Sequence, residues 1–329
     1  MINNKTILVT GGAGFIGSNL ISKLLRLDNI VICLDNFDNN YSPLLKEFNI
    51  SGFISQSNYS LLKADICDES TYLHPSLQES QIDYIIHLAA VAGVRPSIQN
   101  PVLYSKVNIE GTIRILDFAA RNKIDNVIIA SSSSVYGNNT KVPFSETDVV
   151  DFPISPYAAT KKAIELFAHN YHKLYNLNIT CLRFFTAYGF SQRPEMAIAK
   201  FFSGLLAGKE IELYANGKSS RDYTFVDDIV EGILLSLISL NGYNIFNLGG
   251  SESITLFDLL QLIQNISNVE AKIKLLPIQK GDVNQTFADI SKAKKYLNWY
   301  PQTKIEAGLK KYYNWFLELP PEIKHLYYS

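Results

Sequence analysis

One tyrosine and one lysine stand at a spacing that suits acid–base chemistry. Ser155 and Pro156 are residue types favoured at a helix N-cap and first helical position, so Tyr157 is predicted in the opening turn and Lys161 one turn later on the same face. A nearby ammonium and the positive end of the helix dipole both stabilise tyrosinate. The spacing therefore predicts a phenol of lowered pKa that can remove a hydroxyl proton. An isolated Y-x-x-x-K pattern, however, is more often a surface tyrosine beside a lysine.

A row of serines lies shortly before this predicted helix. Ser131, Ser132, Ser133 and Ser134 follow the apolar run 127–130. Open α/β sheets bind ligands at the carboxyl ends of their strands, so hydroxyls that leave a strand there could donate hydrogen bonds to a reacting oxygen. A serine run considered by itself is more often a flexible loop.

Three glycines near the start of the chain indicate a dinucleotide site. Gly11, Gly14 and Gly17 lie between the apolar run 6–10 and a helical pattern, where glycines let the backbone approach a pyrophosphate and the helix N-terminus supplies N–H donors. Asp35 ends the next apolar run, and a carboxylate there can bind the adenosine ribose and repel a 2′-phosphate. The pattern predicts NAD rather than NADP. Taken alone, Asp35 would equally suit a turn at a strand end.

The elements that must position these residues are short apolar runs separated by helical patterns. The runs are residues 6–10, 30–35, 60–64, 84–88, 127–130 and 179–184. Near-continuous apolar strands are typical of parallel sheets that are covered on both faces. We therefore expect an α/β fold, with a doubly wound parallel sheet of the Rossmann type over residues 1–184. Residues 185–329, where the regular alternation stops, are predicted to form a smaller, partly interleaved substrate-binding lobe.

Composition argues against several classes of function. The 329 residues carry 30 basic and 31 acidic side chains, so charge gives no reason to expect binding to nucleic acid or an anionic membrane. Cys33, Cys67 and Cys181 are far apart without zinc spacing, which predicts reduced thiols and no metal site. Residues 1–5 lack the apolar run of a signal peptide, and no apolar run reaches bilayer length. We expect a cytoplasmic protein.

Two strand-end positions allow more than one interpretation. Asp65 and Ile66 follow the third apolar run and could contact an adenine, although a polar residue at a strand end is equally plausible. His87 follows the fourth run, and we expect it to pack rather than to catalyse.

Several segments, taken in chain order, resemble the extended short-chain dehydrogenase/reductases. They are 10–17 (TGGAGFIG), 35–36 (DN), 87–90 (HLAA), Ser132 with Tyr157 and Lys161, and 221–223 (RDY) with 226–228 (VDD). Within that family the chain is most similar to nucleotide-sugar 4-epimerases, and more narrowly to UDP-glucuronate 4-epimerases. The narrower resemblance rests on 92–95 (AGVR), 131–137 leading to 157–162, and 183–189 with 193–197.

The resemblance implies a role for each matching residue. Tyr157 would take the proton of the sugar 4-hydroxyl, Lys161 would lower the pKa of Tyr157 and hold the nicotinamide ribose, and Ser132 or Ser134 would donate to the reacting oxygen. NAD would be bound by Gly11, Gly14, Phe15, Ile16, Gly17, Asp35, Asn36, Asp65, Ile66, Leu88, Ala89, Ala90, Asn108, Tyr157 and Lys161. The UDP-sugar would be bound by Arg95, Ser133, Thr186, Arg193 and Arg221.

Three of these roles have a structural alternative. Asn108 equally suits a polar residue that kinks a helix. Arg221 could form a salt bridge at the rim, and Arg193 could be a surface arginine before a proline.

Ser133 and Ser134 also separate the possible reactions. The related 4,6-dehydratases carry an acid pair at these positions, and UDP-glucuronate decarboxylases carry a glutamate at the second. Hydroxyls suit oxidation and re-reduction of C4 but do not supply the acid and base of an elimination. The resemblance therefore implies 4-epimerisation, most specifically of UDP-glucuronate to UDP-galacturonate. Arg193 would bind the carboxylate in two-point geometry, with Thr186 and the two serines as further donors.

Departures from the family pattern leave alternatives open. Phe190 and Lys280 stand where relatives commonly have proline, so loops near the sugar and the nucleotide could differ in shape. A 4-epimerase of UDP-glucose or UDP-N-acetylglucosamine is the alternative enzyme, and a non-catalytic NAD- and nucleotide-sugar-binding regulator is the alternative class. A homodimer is expected, with the helical stretches 100–122 and 155–175 as candidate contacts, although their apolar stripes equally suit the protein's own core.

Overall fold

The computed structural model describes residues 2–279 and 281–328, so Lys280, one of the two departures from proline, lies outside the described residues. The strands are β1 Thr6–Thr10, β2 Ile30–Asp35, β3 Tyr59–Lys63, β4 Tyr84–His87, β5 Asn126–Ser132, β6 Asn178–Phe184, β7 Thr186–Tyr188, β8 Glu210–Leu213, β9 Ser220–Phe225, β10 Tyr243–Leu248, β11 Ser253–Thr255 and β12 Lys272–Leu275. The apolar runs of the sequence thus predict the first six strands closely.

Helices lie between these strands and follow them along the whole described chain. They are α1 Phe15–Leu25, α2 Pro43–Ile50, α3 Pro75–Gln78, α4 Val94–Gln99, α5 Pro101–Tyr104, α6 Gly111–Arg121, α7 Pro156–Tyr175, α8 Ala197–Leu206, α9 Val226–Ile238, α10 Leu256–Ser267, α11 Ser291–Leu297, α12 Ile305–Glu318 and α13 Pro321–His325. A π-helical turn, Ser105–Glu110, joins α5 to α6. No helix within residues 2–279 and 281–328 is both long and apolar enough to cross a membrane.

The central sheet confirms the predicted fold class. Over the described residues it contains seven strands in the order β10-β6-β5-β4-β1-β2-β3, and every neighbouring pair is parallel. The chain leaves β1 toward one edge and returns to β4 on the other side, which is the crossover of a doubly wound sheet. The crevice at the carboxyl ends of β1 and β4 is therefore the expected ligand position.

Alternating strand residues build a core on each face of this sheet. Leu8 and Ile129 point toward one face, where they join the apolar cluster that includes Ile164 of α7. Val9 and Ile128 point toward the other face and join the cluster that includes α1 and α9 residues. Each fully buried aliphatic side chain contributes about 1.5–3 kcal/mol relative to exposure, so both faces hold helices firmly against the strands.

The part of the chain after residue 184 adds strand β10 to the central sheet. Strand β10 pairs with β6 from Tyr243↔Ile179 to Leu248↔Phe184, so the region after residue 184 supplies an edge strand of the large sheet. Among the residues that the structure describes, two small sheets, β11-β9-β7 and β12-β8, lie outside it. Residues from both sides of position 184 therefore build the central sheet, and a separate substrate-binding lobe stays a prediction.

Candidate active site

A cavity of about 470 Å³ lies along the carboxyl edge of the central sheet. Its volume is that of a typical small-molecule site. The structure brings most of the predicted site residues together in its wall: Gly11, Gly14, Phe15, Ile16, Gly17, Asp35, Asn36, Ile66, Leu88, Ala89, Ala90, Ser132, Ser133, Ser134, Tyr157, Lys161, Thr186, Arg193 and Arg221. Residues from both halves of the chain therefore share one cavity.

The glycine turn leaves room for a phosphate against the backbone. Gly11 has φ +69°, and a Cβ there would lie 2.7 Å from the backbone nitrogen of Ala89. A Cβ on Gly17 would lie 2.3 Å from the Gly11 carbonyl oxygen, so neither position accepts a side chain. Gly14, at the N-cap of α1, has no side chain to bind the first-turn N–H groups, which leaves those donors for an anionic ligand. The turn thus fits the pyrophosphate of a dinucleotide.

Asp35 is held in place by backbone donors and one lysine. Its carboxylate accepts hydrogen bonds from the N–H of Ala13 at 3.2 Å and of Phe37 at 2.8 Å. Lys46 of α2 places its Nζ 3.4 Å from Asp35 Oδ1 and also lines the cavity, as does Tyr41. A carboxylate fixed at the end of β2 fits the hydroxyls of an adenosine ribose.

The catalytic candidates on α7 are positioned by the predicted cap. Ser155 accepts a hydrogen bond from the N–H of Ala158 at 3.2 Å, and Pro156 is the first helical residue. The Nζ of Lys161 donates to the Ala130 carbonyl at 2.7 Å and lies 5.8 Å from the ring centroid of Tyr157. The two side chains are therefore neighbours in the cavity wall, as the sequence predicts.

The pKa of the phenol differs from the sequence prediction. Burial raises the pKa of Tyr157 above its usual value, while the interactions with Ser132 and with the charge of Arg193 lower it. Burial also lowers the pKa of Lys161 to about 8. The pKa of Tyr157 is therefore raised, not lowered as the helical spacing predicts, because burial disfavours the phenolate. An effect of Lys161 on this pKa stays a prediction.

The serine row divides into residues with different contacts. Ser132 accepts hydrogen bonds from the N–H of Ser134 at 3.2 Å and from the Ser134 hydroxyl at 2.8 Å. Ser131 donates instead to the buried carboxylate of Glu165 at 2.6 Å. Because Ser132 also interacts with Tyr157, it is the better placed of the two candidate donors, and Ser134 supports it.

Two arginines from the C-terminal half of the chain, Arg193 and Arg221, line the cavity. Arg193 pairs with Glu195, with 3.1 Å between Nη1 and Oε1, and its side chain is only 18% exposed. Arg221 on β9 donates from Nη1 to the Ser220 carbonyl at 2.8 Å. The positive charge of Arg193 lowers the pKa of Tyr157, and both residues line the same cavity. Thr186, the first residue of β7, lines the same wall.

Three predicted ligand residues do not line the main cavity. Asp65 accepts from Asn36 Nδ2 at 3.1 Å and from the N–H of Cys67, so it orients Asn36, which does line the cavity. Arg95 donates to Asp282 at 2.7 Å, and its guanidinium lies 4.2 Å from the ring centroid of Tyr214. Asp282 rather than Arg95 belongs to the cavity wall.

Asn108 is the third of these residues, and it holds two elements behind the wall. Its side chain exchanges hydrogen bonds with the backbone of Val91 at 2.8 and 3.1 Å and donates to Thr160 at 3.1 Å. The structure therefore gives Asn108 a link between the loop after β4 and α7, and a contact of Asn108 with NAD stays a prediction.

His87 is packed, as predicted. Its ring nitrogens lie 2.7 Å from the hydroxyl of Thr10 and 3.0 Å from that of Thr112. Burial lowers the pKa of His87 to about 3, so the ring stays neutral and is unsuited to proton transfer near neutrality.

Comparison with known proteins shows the family to which the chain belongs. The family model described as GDP-mannose 4,6 dehydratase matches residues 8–312. The chain is 40% identical over 312 residues to a UDP-glucuronate 4-epimerase of Thermodesulfobacterium geofontis, covering 94% of this chain and 96% of that protein. The structure of a UDP-glucuronic acid 4-epimerase of Bacillus cereus in complex with UDP-glucuronic acid and NAD is similar, with a TM-score of 0.89, 34% identity and coverage of 98% and 99%. The chain belongs to the extended short-chain dehydrogenase/reductases, among the NAD-dependent nucleotide-sugar epimerases.

A second solved structure shows how broad this epimerase group is. The UDP-glucose 4-epimerase of Thermotoga maritima, solved with UDP-glucose, has a TM-score of 0.88 and 32% identity to this chain, with coverage of 95% and 99%. Similar overall folds thus accompany an acidic and a neutral sugar. The sugar must be argued from individual residues of the site.

The acids in the cavity wall separate this epimerase from a dehydratase. Among the described lining residues, the carboxylates are Asp35, Asp38 and Asp282. The first two lie at or just after the end of β2, where the dinucleotide is expected, and Asp282 pairs with Arg95. The positions beside Tyr157 carry hydroxyls, which do not supply the acid–base pair of an elimination. Within the described residues no group of three or more His, Cys, Asp or Glu could hold a metal ion.

Sequence reasoning missed Lys46 and Tyr41, which line the dinucleotide end of the cavity. A usable signal was present, because Ser42 and Pro43 repeat the N-cap and first-position pair found before Tyr157. That pair predicts α2 and places Lys46 just beyond its first turn. No local signal pairs Lys46 with Asp35, since that contact depends on how α2 packs.

Proposed function

We propose that this epimerase converts UDP-glucuronate to UDP-galacturonate at C4 of the sugar. The observation that carries the proposal is the position of Arg193, which lines the same cavity as Tyr157 and whose charge acts on that phenol. A guanidinium near the reacting carbon suits a sugar whose carboxylate is attached to the adjacent ring carbon. The similarity to UDP-glucuronate 4-epimerases supports the same substrate.

The residues divide the chemistry among them. When bound, NAD would supply the acceptor for the C4 hydride and the donor that returns hydride to the opposite face of the ring. Tyr157 accepts the proton of the 4-hydroxyl during oxidation and donates it back during reduction, so there is no net redox change. Ser132 donates a hydrogen bond to the reacting oxygen, and Lys161 contributes positive charge beside the phenol. Burial of Tyr157 makes these neighbouring donors and charges necessary.

A uronate also poses a chemical hazard. Its 4-keto form is a β-keto acid and loses carbon dioxide when the carboxylate bond aligns with the carbonyl π system. Two-point binding by Arg193 would hold the carboxylate away from that alignment, and Thr186 and Ser133 would add donors. All three residues line the cavity.

One observation favours a neutral UDP-hexose as the alternative substrate. Arg193 already pairs with Glu195 inside the protein, so its charge is partly satisfied before any sugar carboxylate arrives. A neutral sugar would leave this pair intact. The alternative predicts that UDP-glucose or UDP-N-acetylglucosamine is converted in preference to UDP-glucuronate.

The test is to incubate the purified protein and NAD with each of the three UDP-sugars and to identify products by NMR. The proposal predicts fastest conversion of UDP-glucuronate, with galacturonate as the product. Conversion of the neutral sugars alone would assign a neutral UDP-hexose as the substrate instead of UDP-glucuronate. Release of a pentose would indicate decarboxylation. Inertness toward all three would favour a regulator that binds without catalysis.

We further propose that the enzyme is a cytoplasmic homodimer. Apolar side chains of α5 and α7, including Val102, Leu166 and Leu174, are exposed on the protein surface and are the candidate contacts with a second copy. The cysteines Cys33, Cys67 and Cys181 are unpaired, which suits a reducing compartment. Light scattering on the wild type and on Leu166→Glu would test the dimer, since a charge in the contact should produce monomers.

A further inference from the structure

A buried ion pair lies beneath the serine row and takes no part in the reaction described above. Glu165 of α7 and Arg183 of β6 form a bidentate pair, in which Nε and Nη2 of the arginine donate to Oε1 and Oε2 of the carboxylate, each at 2.8 Å. Each side chain is only 2% exposed. A buried pair gives little net stability compared with packed apolar residues of similar size. Its presence beside the site therefore calls for a role other than stability.

The pair holds the serine row at both ends. Ser131 donates to Glu165 Oε1 at 2.6 Å, and Arg183 Nη1 donates to the hydroxyl of Tyr136 at 2.9 Å. Tyr136 in turn donates to Asn247 on β10 at 2.7 Å. The segment from Ser132 to Ser134 lies between these two anchor points, so its position relative to the cavity depends on them.

The same carboxylate belongs to the helix that carries the catalytic pair. Tyr157, Lys161 and Glu165 are four residues apart in succession, so they follow one face of α7. The bond from Ser131 to Glu165 joins that face directly to the end of β5. A shift of α7 along β5 would therefore change the relation between Ser132 and Tyr157.

Glu165 also faces the charge of Lys161. The titratable groups around this lysine are Cys181 on β6, Glu165 on its own helix and His87 on β4. The Glu165 carboxylate also pairs with Arg183, and its backbone carbonyl accepts a hydrogen bond from Tyr243 on β10. Burial lowers the pKa of Lys161 to about 8, and Cys181 and Glu165 raise it. Loss of the carboxylate would make this ammonium easier to deprotonate.

We propose that Glu165 is a positioning residue for the epimerase reaction, which fixes Ser132 against Tyr157 through Ser131 and Arg183 and supplies a negative charge facing Lys161. This inference rests on the proposed function, but it does not depend on which UDP-sugar is the substrate.

The test compares Glu165→Gln and Ser131→Ala with Glu231→Gln, an exposed glutamate on α9. Both site variants should lower kcat about 10- to 100-fold, the loss expected for a displacement near 1 Å, with KM nearly unchanged. Only Glu165→Gln should also move the alkaline limb of the pH profile to lower pH. The control should match the wild type in both respects.

Ser131→Ala keeps the ion pair, so it tests the proposal even if Glu165→Gln does not fold. A second readout is the titration of Tyr157. It is followed by the ultraviolet absorbance of the phenolate, as the part of the signal that is absent from Tyr157→Phe. In Ser131→Ala it should move to higher pH, because Ser132 is less firmly held against the phenol. Wild-type kcat and phenol titration in Ser131→Ala would overturn the proposal. Failure of the wild type to convert any UDP-sugar would instead overturn the proposed function, while the titration still tests the positioning.

Discussion

Replacing Arg193 with glutamine should change the choice between acidic and neutral sugars. The substitution removes the cation but retains a polar, shorter side chain. In the structure the Arg193 side chain is 18% exposed and its Nη1 lies 3.1 Å from Oε1 of Glu195, so the variant also leaves that carboxylate without its partner. A uronate would then meet an unpaired negative charge where it formerly met a positive one.

The size of the effect follows from the lost contact. A hydrogen bond to a charged group contributes about 1.5–3 kcal/mol, and each 1.4 kcal/mol is tenfold in an equilibrium or rate ratio. The exposed part of the Arg193 side chain reduces this, so kcat/KM for UDP-glucuronate should fall about 10- to 100-fold more than kcat/KM for UDP-glucose. Arg193 also lowers the pKa of Tyr157, but that effect is shared by both sugars and cancels in the ratio.

The assay measures kcat/KM for both sugars in the wild type, Arg193→Gln, the double variant Arg193→Gln/Glu195→Gln, and Arg121→Gln. The double variant should recover part of the loss, because the unpaired carboxylate is gone. Arg121 lies on α6 with an exposed side chain paired to Asp117, so its variant should behave as the wild type. Equal losses for the two sugars in Arg193→Gln would refute a role for this arginine in acid recognition.

The remaining predictions concern the cofactor and the base. Tyr157→Phe should abolish turnover while retaining NAD affinity by titration calorimetry; substantial turnover would remove the proposed base. Gly17→Ala should weaken NAD binding at least tenfold, because the new Cβ would lie 2.3 Å from a backbone atom. Gly52→Ala, whose Cβ would have no atom within 4 Å, should bind NAD as the wild type does. Equal NAD affinities in the two variants would contradict the phosphate role of the turn. Activity should decline as pH rises through about 8, since Lys161 then loses its charge. The variant Lys161→Arg, whose guanidinium stays charged, should lack that decline if it folds. An identical decline in this variant would assign the alkaline limb of the pH profile to another group.

Much of the fold could be predicted from local patterns. The runs of β-branched and aliphatic residues predict the first six strands because such residues pack well on a pleated surface buried on both faces. The cap before Tyr157 and the glycine turn are likewise local, since backbone conformation at those positions depends on a few adjacent residues. These signals place the catalytic helix and the dinucleotide turn at one edge of the sheet.

The rest depends on contacts between distant parts of the chain. Arg95 pairs with Asp282, which is 187 residues away, so no local spacing indicates that the acid rather than the arginine lines the cavity. The pKa of Tyr157 depends on how deeply the folded protein buries it, and a helical spacing carries no information on that depth. The ion pair of Glu165 and Arg183 likewise forms only when α7 packs on β6.

The most direct test of the account follows the hydrogen on C4. UDP-glucuronate deuterated at C4 would be incubated with the enzyme and NAD in ordinary water, and the product examined by NMR. Transfer to and from a bound nicotinamide, with Tyr157 handling only the hydroxyl proton, predicts UDP-galacturonate that retains deuterium at C4. Product carrying solvent hydrogen at C4 would contradict the account, because it would mean that C4 exchanges a proton with water.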